Sequence, residues 1–140
     1  MGGGEKEMKQ LLLFVFTVLF SLSALAADVS KEKPTQHLQV ADVNSMEEAK
    51  VIFLDKTVEI RNKKPLNLEA ASQIHIITYT LEKSVAYFAE NLEGEKQDQA
   101  KQIAVVVEDI HLASESNRLD DLQKYLDKYF DLADKFLFCF

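Results

Sequence analysis

Ile74-His75-Ile76-Ile77-Thr78-Tyr79-Thr80-Leu81-Glu82-Lys83-Ser84-Val85-Ala86-Tyr87-Phe88-Ala89-Glu90-Asn91-Leu92 is the stretch from which the architecture follows. Ile74, Thr78, Leu81, Val85, Phe88 and Leu92 step by four and three, the spacing that puts side chains on one face of an α-helix. Asn67 is placed to cap this helix, and Asn91 to Gly94 stop it, with Gly94 as the terminating residue. The same period recurs on both sides of the stretch. Ser45-Met46-Glu47-Glu48 is a capping box ahead of Met46, Ala49, Phe53 and Ile60, a helix that reaches about Lys64 before Pro65 ends it. A third helix is expected from about Lys96 to Glu115 through Ile103, Val107, Ile110 and Ser114. A fourth, capped by Asn117, carries Leu122, Tyr125, Tyr129, Leu132 and Phe136. Val105-Val106-Val107 has strand composition, but its helical flanks make it a helix segment buried on more than one side. No Asn-Gly or Asp-Gly hairpin turn occurs, and Gly94 is the one glycine beyond the N-terminal leader.

The chain therefore reads as all-α, an antiparallel bundle of three to four helices over residues 45–140. The first helix is expected to pack loosely, because its apolar face is narrow and Arg61-Asn62-Lys63-Lys64 closes it. Residues 1–26 have the layout of a cleaved signal peptide. Lys6 and Lys9 precede an apolar run from Leu11 to Phe20 broken at Thr17, and Ala24-Leu25-Ala26 gives the cleavage pattern. The run is short of the roughly 20 residues of a membrane span, so no stable membrane insertion is expected after cleavage. Residues 27–44, with Pro34 and His37, read as a flexible leader without sustained period, and His37 as a solvated residue. A periplasmic location follows as an expectation.

The net charge is −7 over the whole chain. Cleavage at Ala26 removes Lys6, Lys9, Glu5 and Glu7 and leaves that balance unchanged. An acidic chain argues against nucleic acid as a partner. The single cysteine, Cys139, excludes an internal disulfide. With Leu137, Phe138 and Phe140 around it, burial or fraying is expected. The aromatics Tyr125, Tyr129, Phe130, Phe136, Phe138 and Phe140 read as core, with a homodimer through this C-terminal helix as the other use for their excess.

Chemistry concentrates on two helix faces. His75, Tyr79 and Glu82 share one face of the second helix, beside Thr78, and Glu108, His111 and Glu115 share one face of the third, beside Ser114. Antiparallel helices joined at Gly94 pair positions symmetric about residue 95. Glu115 then falls near His75, His111 near Tyr79, and Glu108 near Glu82. Two readings follow. A buried or half-buried hydrogen-bond network would fix the register of the two helices. Alternatively, His75, His111, Glu108 and Glu115 would hold a divalent transition metal, since imidazole and carboxylate together suit zinc, copper, iron or nickel. Glu108-x-x-His111 has no counterpart on the second helix, which argues against a metal pair. The absence of Cys-x-x-Cys-His excludes covalent haem. No nucleophile triad order, phosphate loop or nucleotide fingerprint appears, so an enzyme is not expected, and the partner is an unspecified protein or small ligand.

His75-x-x-Thr78-Tyr79-x-Leu81-Glu82 followed by Glu108-x-x-His111-Leu112-Ala113-Ser114-Glu115 resembles a family of small exported proteins of Gram-negative bacteria that is classed as a domain of unknown function. The resemblance covers roughly Glu47 to Phe136. It implies export and a helical architecture and supplies no activity. Family members often carry Glu directly after the first His, where this chain has Ile76.

Overall fold

The computed structural model describes residues 38–140. The expected signal peptide, most of the expected leader and His37 lie outside the described residues. Four helices follow one another: α1 Met46–Arg61, α2 Leu68–Asn91, α3 Gly94–Glu115 and α4 Leu119–Phe138. Each packs on its neighbour in sequence, α1 on α2, α2 on α3 and α3 on α4. Among the described residues no helix is long and apolar enough to cross a membrane.

Local signals account for the helix starts. Ser45 Oγ accepts the Glu48 backbone N–H at 3.1 Å, and Glu48 Oε2 reaches back to the Asn44 backbone N–H at 2.9 Å. This is the capping box, with its return bond one residue earlier than usual. Asn67 Oδ1 caps α2 by accepting the Ala70 N–H at 2.9 Å.

Two boundaries differ from expectation. Gly94 opens α3 instead of closing α2, with φ +61, and α2 ends at Asn91 with Leu92 as its C-cap. Asn117 does not cap α4 but ends α3. It sits in the left-handed region at φ 54 while the Arg118 N–H donates to Ala113 O at 2.9 Å and its own N–H to Ser114 O at 3.3 Å. That pair of bonds is a Schellman motif, and asparagine tolerates its left-handed position better than most residues do.

The core is continuous. Ile74, Thr78, Leu81, Val85 and Phe88 of α2 are all buried, as are Ile103, Val107, Ile110 and Ser114 of α3. The valine run is only partly buried, because Val106 and Val107 turn inward while Val105 is exposed. On α4, Leu122, Tyr129 and Phe136 are buried together with Leu126 and Ala133, while Tyr125 and Leu132 are half-buried.

The first helix does not pack loosely. Phe53 is 0% exposed and meets Phe88, Tyr129 and Phe136 edge to face at 5.7, 6.3 and 5.5 Å between ring centroids. A narrow stripe suffices because it carries one large ring in the centre of the bundle. Thr57 continues the stripe. Its hydroxyl donates to Phe53 O at 2.6 Å, so its oxygen is free to accept the Tyr129 O–H, also at 2.6 Å. This pair ties α1 to α4 across the core, and burial pushes the Tyr129 phenol well above its ordinary pKa. At the rim Arg61 pairs with Asp134 at 2.7 Å and lies over the Phe130 ring.

Ahead of α1, Asp42 pairs with Lys83 at 2.6 Å, and Val43 packs against the core. At the other end Cys139 is exposed at the C-cap of α4, not buried. Phe140 packs on Phe136 at 4.8 Å, beneath the ammonium groups of Lys50 and Lys96, and is still 46% exposed, while Phe138 is 93% exposed.

Candidate functional site

The seam between α2 and α3 carries a compact polar cluster. His75, Tyr79 and His111 form a triangle of rings with centroid separations of 5.2 Å (His75–Tyr79), 4.7 Å (His75–His111) and 4.9 Å (Tyr79–His111), all edge to face. His111 is at the centre and only 6% exposed. The Tyr79–His111 contact is the one expected from symmetry about residue 95.

The proton assignment of His111 follows from counting donors. Thr78 has one hydroxyl proton, and it is donated to His75 O at 2.6 Å, an i−3 back-bond inside α2. The Thr78 oxygen lies 3.1 Å from His111 Nδ1 and must therefore accept. Glu82 Oε1, an acceptor when ionised, lies 2.9 Å from the same nitrogen. Nδ1 of His111 thus donates its proton to Thr78, while Glu82 Oε1, at ion-pair distance but outside hydrogen-bond geometry, acts on the ring through its charge. Glu82 stays partly hydrated, with its side chain 32% exposed.

His75 differs. Its Nε2 meets the Tyr79 phenol at 3.3 Å, while its Nδ1 is buried with no hydrogen-bond partner among the described residues. Ser114 is buried, but its hydroxyl donates to His111 O at 2.8 Å and so serves α3, not the cluster.

Glu108 and Glu115 are exposed and stay outside the cluster. Glu82 turns to His111 and not to Glu108, and His75 turns to Tyr79 and not to Glu115. The reason is angular. At 3.6 residues per turn, Glu108 and Glu115 lie roughly 60° and 40° around α3 from His111. The buried arc of α3 ends at His111, so that displacement carries both carboxylates into solvent. Among the described residues no group of three or more His, Cys, Asp or Glu is placed to hold a metal ion, so the set His75, His111, Glu108 and Glu115 is not assembled.

Two contacts were missed in sequence. Thr57 lies between apolar residues, and the hydroxyl of Tyr129 was read only as the end of a core ring; nothing local pairs two groups 72 residues apart. Ser84, whose hydroxyl donates to Ala49 O at 2.7 Å, binds α2 to α1 in the same way. Its small polar side chain on an apolar face was the one available signal.

Comparison with known proteins adds a family and no activity. The profile of a family of unknown function (DUF6746) matches residues 8–137, and the chain belongs to that family. No curated protein and no solved structure matches the chain.

Proposed function

We propose that this member of DUF6746 is an exported, periplasmic, non-enzymatic binding module, in which the His/Tyr/Glu cluster fixes the register of α2 and α3. Export rests on the charged start, apolar run and Ala24-Leu25-Ala26 pattern of the leader. Taxon and location are supported by the motif resemblance around His75 and His111.

The observation that carries the architectural role is the state of His111. Its Nδ1 proton is held by Thr78, the Glu82 carboxylate lies 2.9 Å from the same nitrogen, and its ring is enclosed by the rings of His75 and Tyr79. A general acid or base must reach a substrate proton, directly or through one water. A nearly buried imidazole whose Nδ1 proton is already held is suited to joining helices. A partner would be a protein or small ligand, without nucleic acid. A homodimer through α4 would have to be built on Phe138, since the other C-terminal rings are covered at least in part.

A second reading, binding of a divalent transition metal, is favoured by the buried Nδ1 of His75 beside a second imidazole. It requires the seam to rearrange around an ion.

One experiment separates the two. The chain is purified from the periplasm without a tag, checked by mass for a start at Ala27, and assayed for metal and for thermal stability with and without zinc, copper and nickel. The architectural reading expects a metal-free protein that melts alike in all conditions. It also expects His111→Ala to lose about 1–3 kcal/mol, the cost of removing the donor to Thr78 and the imidazole beside the Glu82 carboxylate. His111→Asn, whose amide can take the place of Nδ1–H, should recover part of that loss. Near-stoichiometric metal that disappears in both His75→Ala and His111→Ala would establish the second reading.

A further inference from the structure

The end of the bundle that holds the α1–α2 connection has a cleft of about 300 Å³ between α1, that connection and α4. This lies at the lower end of the range of small-ligand sites. Its walls have two chemistries. Leu66, Leu126 and Phe130 line one part, and Arg61, Lys63 and Lys64 the other. No acidic residue lines it, although acidic residues outnumber basic ones 23 to 16 in the chain. Arg61 is engaged by Asp134 and Phe130, which fixes the guanidinium beside the apolar wall. No ion pair is formed by Lys63 or Lys64 among the described residues. α1 and α4 each pack chiefly on their sequence neighbours and meet each other through side chains, Thr57 with Tyr129 and Arg61 with Asp134 and Phe130, and the cleft lies beside these contacts.

We propose that this cleft binds a single-chain anionic amphiphile, with the alkyl chain against Leu66, Leu126 and Phe130 and the carboxylate at Lys63 and Lys64. The argument is charge complementarity next to an apolar wall. A neutral apolar ligand would not use the two lysines, and a small anion would not use the wall. The site lies on elements other than the α2–α3 seam, so it stands or falls separately from the role of His111. The competing account is that the basic residues only offset the dipole at the C-terminus of α1. That account predicts a change in stability on charge reversal and no ligand.

The test is calorimetric titration of the full mature chain with dodecanoate below its aggregation concentration, with acetate and dodecyl maltoside as the head-only and chain-only probes. Saturable binding of dodecanoate, with both other probes weaker by about tenfold or more, is expected. Lys63→Glu with Lys64→Glu should weaken dodecanoate binding by about tenfold or more at unchanged melting temperature. The matched control, Lys101→Glu with Lys128→Glu, alters net charge equally at exposed sites that do not line the cleft and should leave binding unchanged. The proposal is overturned by no binding of dodecanoate, by equal affinity for either partial probe, or by equal weakening in the two double variants.

Discussion

Around Phe53 four aromatic rings meet edge to face, and the polar atoms among them, on Thr57 and Tyr129, are satisfied by each other and by the backbone. Around His111 three rings meet at shorter distances, yet each carries a polar atom that needs a partner of its own. The first region is stabilised by burial, which is non-directional and tolerates small shifts. The second depends on donor–acceptor geometry and is exposed along one edge through Glu82 and His75. The aromatic centre should therefore govern how stable the bundle is. The seam should govern which register its middle helices adopt, a role documented for some buried polar groups in helical assemblies.

The largest expected effect comes from Phe53→Ala, which removes the ring on which α1, α2 and α4 converge. A loss of about 3–5 kcal/mol in urea unfolding is expected. A loss below that of His111→Ala would invert the ranking of the two regions. Tyr129→Phe sharpens the contrast inside the aromatic centre. It keeps the ring, and Thr57 keeps its bond to Phe53 O, so about 1 kcal/mol should be lost. A loss comparable to Phe53→Ala would mean that the hydroxyl pair, not ring packing, holds α1.

Asn117→Ala tests the end of α3 next to the seam. The left-handed conformation costs an ordinary L-residue about 1 kcal/mol, so that much destabilisation is expected, while Asn117→Gly should be neutral or stabilising. The smallest effect belongs to Asp42. The Lys83 ammonium holds its carboxyl below the ordinary value of 3.8. A lowered folded-state pKa means that any stability from this pair is present above that ordinary value and fades as acid protonates Asp42 through its depressed one. Asp42→Asn should slightly lower the melting temperature at neutral pH and make no difference in strong acid. A larger deficit in acid than at neutral pH would contradict this sign.

Helix existence was legible in sequence because it depends on period and punctuation. The stripe from Ile74 to Leu92, the Ser45 box and the Asn67 cap each act within a few residues of themselves. Gly94 and Asn117 were read as terminator and cap, and each plays the opposite role. Both sit in connections so short that one residue can serve either helix, and only the backbone angle decides. The seam was legible in its centre, where Tyr79 meets His111, because antiparallel symmetry determines pairing along the helices. It was not legible in its outer members. Sharing a face is an approximate statement over an arc of about 60°, and the edge of burial falls inside that arc. The underestimate of α1 has a similar origin. Residue counts along a stripe do not reveal that one phenylalanine will sit at the junction of three helices.

The neighbour-on-neighbour packing of the four helices has a kinetic consequence. Each helix finds its main partner across a connection of a few residues, and such local topologies fold in the microsecond-to-millisecond range. The tie between Thr57 and Tyr129 spans 72 residues of sequence and closes the structure across its first and last helices. Its loop-closure entropy is recovered only once the helices between are in place. Tyr129→Phe is therefore expected to accelerate unfolding while leaving the folding rate nearly unchanged, marking the bond between α1 and α4 as the last to form and the first to open.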